Sequence, residues 1–205
     1  MMTEQSGKMK EKEIIDAARK RFAYYGFSKV TMDEIAADAG MAKASLYYYF
    51  PAKMDLFKSV ISVEQDLFID KLQKILHADI SAAERLTEYV NERLQHFKTF
   101  VNLAKLSFQS ILELKPIFSD LHKNFSEREH LLLSEIIKDG IDKGELKPGE
   151  AKEIATLILH ILHGLRLRTF PFNKDFSFDE KLHEQLNKEM LNVLRMLLNG
   201  IQTGI

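Results

Sequence analysis

The chain has 205 residues, of which 45% are hydrophobic and 29% charged, a balance that excludes a disordered polymer and supplies a sizeable core. Lys and Arg number 29 against 30 Asp and Glu, so a formal net charge of -1 excludes a polycation that coats nucleic acid or membrane indiscriminately. The lack of Cys removes disulfides, thiolate metal sites, Cys nucleophiles and iron–sulfur clusters, and it fits a reducing cytoplasm.

The lead-in MMTEQSGKMKEKE is polar and has no apolar h-region, so it reads as a short flexible segment and not as a signal peptide. The uncharged apolar run from Ile154 to Leu165 falls short of the roughly 20 residues that a bilayer span needs. These features predict a soluble protein of the cytoplasm. Punctuation is sparse: no Gly lies between Gly40 and Gly140, and no Pro between Pro51 and Pro116. Strand-rich chains turn more often than that.

Apolar residues recur instead at helical spacing. Ile14, Ile15, Ala18, Phe22 and Tyr25 form a first stripe ended by Gly26. Phe57, Val60, Ile61, Leu67, Phe68, Leu72, Ile75 and Leu76 form a second, and Leu86 to Val101 a third. A fourth, through Leu131, Leu132, Ile136 and Ile137, is closed by the turn DKGELKPGE. Two apolar helices follow, over Ala151 to Phe170 and Phe178 to Ile201. The reading is all-α, with nine or ten helices. Short, closely punctuated segments give way to long ones at Met41 to Lys53, which places a small domain at 1–53 and a larger one at 54–205.

Thr31 to Phe50, TMDEIAADAGMAKASLYYYF, is where a function becomes legible. Thr31 and Glu34 have capping-box spacing, so the hydroxyl can accept from the Glu34 N–H while the carboxylate accepts from the Thr31 N–H. Met32, Ile35, Ala36 and Ala39 share one face of a short helix, and Gly40 suits a left-handed residue just past its end. A second short helix follows with Leu46 and Phe50 inward. This is helix-turn-helix spacing. The outward side carries Lys43, Ala44, Ser45, Tyr47, Tyr48 and Tyr49. A Tyr hydroxyl can reach a phosphate oxygen or base edge, and small residues let a helix backbone approach base pairs. Packing of Tyr47 and Tyr49 against neighbouring helices is the competing reading.

The stretches IIDAARKRFAYYGF and TMDEIAADAGMAKASLYYYFPAKMDLF resemble the DNA-binding domain of the tetracycline-repressor (TetR) family of transcriptional regulators. Gly26, Thr31, Ile35-Ala36, Ala39-Gly40, Leu46-Tyr47, Tyr49-Phe50 and Lys53 meet the family pattern in turn. The resemblance implies that Thr31, Tyr47 and Lys53 contact phosphates, and that Tyr49 touches the DNA backbone. It implies that Lys43, Ala44, Ser45 and Tyr48 face the bases in the major groove. It further implies a ligand-released repressor, a homodimer through the last two helices, and half-sites roughly 34–36 Å apart. An activator with the same contacts, or a helical scaffold or enzyme whose helix-turn-helix only packs, are the alternatives.

Residues 1–53 hold nine Lys and Arg against seven Asp and Glu, and the remainder 20 against 23, so the first quarter is slightly basic. Lys8, Lys10 and Lys12 can track phosphates as an arm or merely solvate the terminus. The larger domain holds 11 of the 14 Phe. The resemblance implies a ligand cavity there, and Tyr89, Phe97, Phe100, Phe108 and Phe118 suggest an apolar small-molecule effector. His160 and His163 share a helix face at i, i+3 but lack neighbouring carboxylate ligands, so no metal site is assigned. No cofactor is indicated. Phosphate-loop, nucleophile-elbow, zinc-protease and dinucleotide signatures are absent, so no enzyme is indicated.

Overall fold

A computed structural model describes residues 2–104, 119–168 and 179–201. Among the described residues the regular structure is entirely helical, in agreement with the all-α reading. The order is α1 (Met2–Tyr25), a 3-10 turn (Phe27–Lys29), α2 (Met32–Asp38), α3 (Lys43–Tyr49) and α4 (Lys53–Leu76). Then come α5 (Ala82–Ala104), α6 (Ser119–Asp142), α7 (Ala151–Arg168) and α8 (Glu180–Ile201). The described residues thus hold eight α-helices against the nine or ten expected. The lead-in differs from expectation: α1 extends back to Met2, where a flexible segment was predicted.

Buried side chains gather into two cores. The smaller contains Ile14, Ala18 and Phe22 of α1, Ile35 and Ala36 of α2, Leu46 of α3, and Leu56, Phe57, Val60 and Ile61 of α4. Phe22 meets Phe57 edge-on at 5.2 Å, the favoured aromatic geometry. Burying each such ring contributes about 1.5–3 kcal/mol, enough to fix how α1 sits against α4. Leu103 of α5 also joins this core.

The larger core draws on α4 to α8, with Leu72, Leu86, Tyr89, Leu94, Leu133, Ile136, Ala155 and Met190 among its buried residues. Phe100 of α5 packs against both cores, so α5 bridges them. A second capping box starts that helix: the Ser81 N–H donates to Glu84 at 2.9 Å, and the Glu84 N–H to the Ser81 hydroxyl at 3.3 Å. Arg85, 1% exposed, ties three elements by donating to the Leu76 carbonyl at 3.1 Å and to Asp139 of α6 at 2.6 Å.

Candidate nucleic-acid interface

The local chemistry of α2 sets the position of α3. The Glu34 N–H donates to the Thr31 hydroxyl at 3.3 Å, and the Thr31 N–H donates to the Glu34 carboxylate at 2.8 Å. The Thr31 N–H, and then the Thr31 hydroxyl donating to the same carboxylate at 2.9 Å, hold the Glu34 carboxyl below its ordinary pKa, because both bonds favour the charged form. Gly40 adopts φ 63°, which L side chains rarely tolerate, and the Met41 N–H returns to the Ala36 carbonyl at 3.0 Å. That tight reversal delivers α3 with Leu46 fully buried. Arg21 of α1 braces α2 from outside, donating to Asp38 at 2.8 Å and lying 3.2 Å from Glu34.

Burying only Leu46 of so short a helix leaves most of α3 to water. Lys43, Ala44 and Ser45 are exposed, Tyr47 is 40% exposed and Tyr48 84%. Tyr49 is partly buried, packing on the small core while its ring meets Tyr48 edge-on at 5.5 Å. Of the three tyrosines, then, Tyr49 is the most packed and Tyr48 projects furthest. The Lys43 ammonium reaches Asp33 at 2.9 Å, but both groups are exposed, so the pair exchanges readily with water or another anion. A groove of about 560 Å³ runs beside this face, lined by Lys10, Met41, Ala44, Ser45, Tyr48 and Tyr49.

Thr31 is exposed at the start of α2, on the same domain. Lys53 is placed differently from a simple phosphate contact. Its ammonium donates to the carbonyls of Phe27 and Val30 at 2.9 and 2.8 Å and lies 4.5 Å from the Phe27 ring centroid. Burial lowers its pKa, with Glu34 opposing. Lys53 therefore braces the turn that carries Thr31.

In the larger domain Tyr89 and Phe97 are buried and Phe100 is partly buried; Phe108 and Phe118 lie outside the described residues. The surroundings are more polar than the aromatic residues alone suggested. The Tyr89 hydroxyl donates to Glu129 at 2.8 Å, and Arg93 ion-pairs with the same carboxylate. Arg166 lies 5.2 Å from the Phe97 ring centroid and meets His163 Nδ1 at 3.1 Å. His96 stacks on Phe68 at 4.9 Å and lies 5.2 Å from Phe125. Burial, then Arg93, pushes its pKa down to about 3. Sequence reasoning missed Arg93, Glu129 and Arg166. The signal was present for Arg93, a charge set into the stripe Tyr89, Phe97, Phe100 where the spacing calls for an apolar residue. Among the described residues no three His, Asp or Glu side chains converge as a metal site, and no helix is long and apolar enough to cross a membrane.

Known proteins share this arrangement. Residues 14–60 match the bacterial regulatory proteins of the tetR family. The chain is 43% identical to a transcriptional regulator from Cytophaga hutchinsonii, covering 93% of this chain and 97% of that one, with a TM-score of 0.86. It is 29% identical over 140 residues to the fatty acid metabolism regulator protein of Bacillus subtilis, covering 67% of this chain and 71% of the relative. A regulator from Saccharomonospora viridis, solved in complex with choline, shares the fold at 20% identity and a TM-score of 0.68, over 95% and 98% of the two chains. The relatives are regulators and not enzymes. With its helix-turn-helix, its exposed α3 and its larger helical domain, the chain belongs to the TetR family of DNA-binding transcriptional regulators.

Proposed function

We propose that the protein is a dimeric repressor of the cytoplasm, released from a pseudo-palindromic DNA operator by a small effector bound in the larger domain. The observation that carries the DNA reading is the exposed face of α3, where Lys43, Ala44, Ser45, Tyr47 and Tyr48 stand clear of a buried Leu46. Ala44, Ser45, Tyr48 and Lys43 address base edges, while Thr31, Tyr47 and Tyr49 address the phosphates. Lys53 acts through the turn it braces.

The effector reading draws support from Tyr89, Phe97 and Phe100 on one face of α5, the helix that also places Leu103 in the DNA-binding core. With Arg93 and Glu129 beside Tyr89, the effector is best described as an apolar body bearing a polar group. It acts by favouring a dimer whose α3 helices are mis-spaced for the operator, and its differential affinity for the two states sets the extent of release.

The dimer reading draws support from α7 and α8. Leu157 and Leu167 of α7 are 59% and 50% exposed, and Met196 of α8 is 74% exposed. A Cβ built on Gly164 would meet nothing within 4 Å, so a neighbouring helix can approach that point closely.

Footprinting on DNA beside the protein's own gene tests the whole reading. The expected outcome is a protected pseudo-palindrome, loss of protection in Tyr47→Ala, altered sequence preference in Tyr48→Ala, and release by an amphipathic effector. Protection of no DNA at any salt concentration would overturn it.

A further inference from the structure

From Gln5 to Glu13, α1 places no residue in either core. Ile14 is the first buried residue of α1 in the smaller core, while Lys8, Met9, Glu11, Lys12 and Glu13 are exposed. A polar stretch with no fully buried residue gains little from packing, and Gly7 within it weakens it further. Seven residues are about two turns, so Gly7, Lys10 and Ile14 share a face, and Gly7 and Lys10 are less exposed than their neighbours. Lys8 and Lys12 lie one turn apart on another side.

The Gly7–Lys10–Ile14 face looks onto α3. Lys10 forms one wall of the groove of about 560 Å³ whose other lining is Met41, Ala44, Ser45, Tyr48 and Tyr49. The polar groups of that lining are one ammonium and three hydroxyls, all able to donate and none anionic. The groove is continuous with the exposed base-reading face of α3. Lys10 currently contacts Glu13 at 2.8 Å, an exposed i, i+3 pair that yields easily to a stronger anion.

We infer that the start of α1 is part of the DNA interface, with Lys10 holding a backbone phosphate in the groove beside Ser45 and Tyr48. The inference rests on the DNA-binding reading of α3 and extends the interface to a residue before the stretch matched by the family. Lys8 and Lys12, directed elsewhere, take no phosphate.

The test is the salt dependence of operator binding by the full chain, compared across Lys10→Gln, Lys8→Gln and Lys12→Gln. Gln is a helix former comparable to Lys, so helicity by circular dichroism stays level. Each lost phosphate contact removes about 0.9 from the log–log salt slope, so a dimer that loses one from each copy loses about 1.8, which at roughly 0.1 M salt corresponds to a ten- to hundredfold loss of affinity. Lys10→Gln is expected to show that loss, Lys10→Arg to retain the contact, and the other two variants to bind as the wild type does. An equal loss from all three Gln variants would mean diffuse attraction and would overturn the inference. So would an unchanged Lys10→Gln in a protein that Tyr47→Ala still weakens. If neither Lys10→Gln nor Tyr47→Ala affects binding to any DNA, the reading of α3 itself fails.

Discussion

Replacing Lys53 with Met removes an ammonium while keeping most of its apolar stem. Two carbonyls, of Phe27 and Val30, lose their donor, and the Phe27 ring loses its cation. A hydrogen bond to a charged group contributes about 1.5–3 kcal/mol, and an exposed cation–π contact about 0.5–1 kcal/mol. At their low ends two such bonds and the ring contact sum to about 3.5 kcal/mol, and because Lys53 is only partly buried, water reaches the vacated carbonyls and brings the loss down to about 2 kcal/mol in all. For a chain of this size about 2 kcal/mol lowers the melting temperature by roughly 4–8 °C. Thermal unfolding followed by circular dichroism reads that shift, and operator binding as a function of salt reads any lost phosphate contact. A brace predicts a lower melting temperature with a nearly unchanged salt slope. An unchanged melting temperature with a slope reduced by about 2, one phosphate contact from each copy of a dimer, would refute the brace and return Lys53 to the phosphate backbone.

Three further outcomes follow from the structure. His96 keeps its proton only near pH 3 when folded, against 6.5 when unfolded, so the unfolded chain gains the proton first as pH falls. Stability therefore drops between about pH 6.5 and 3, by roughly 2 kcal/mol from pH 7 to 5; urea unfolding at the two pH values should show that loss, and His96→Phe should level it. In Gly140→Ala the new Cβ would lie 2.6 Å from the Ala82 Cβ and 2.9 Å from Leu146 Cδ1. The overpacking should outweigh the roughly 1 kcal/mol gained in helix propensity and destabilise by about 1–2 kcal/mol net, and Ala82→Gly in the same chain should restore the melting temperature. Leu157→Glu puts a charge on the exposed apolar side of α7 and should convert the proposed dimer to monomer in sedimentation, with loss of operator binding; an unchanged assembly would place the interface elsewhere.

The helix-turn-helix was legible in the sequence because its determinants are local. The Thr31–Glu34 capping box spans one turn, Gly40 answers a backbone requirement at its own position, and the spacing of Ile35, Leu46 and Phe50 names the inward face. Such signals survive in a one-dimensional string because the interacting groups are three or four residues apart. The all-α class was legible for the same reason, from the period of the apolar residues and the long interval without Gly.

Groups distant in the chain met only through packing, and there sequence reading fell short. Lys53 stands where a phosphate contact is implied, yet its ammonium turns to carbonyls more than twenty residues earlier. Arg93 and Glu129 lie on α5 and α6 and pair across the larger core. Lys10 read as one of three equivalent lysines, and the continuation of α1 past α3 set it apart from Lys8 and Lys12. The sequence by itself determined the class of fold and the helix-turn-helix with its exposed second helix, since each depends on contacts within a turn or two. Which charges remain available on that surface, and which are taken up inside the protein, was decided by tertiary structure, because only folding brings a cation within hydrogen-bond reach of acceptors far away in the chain.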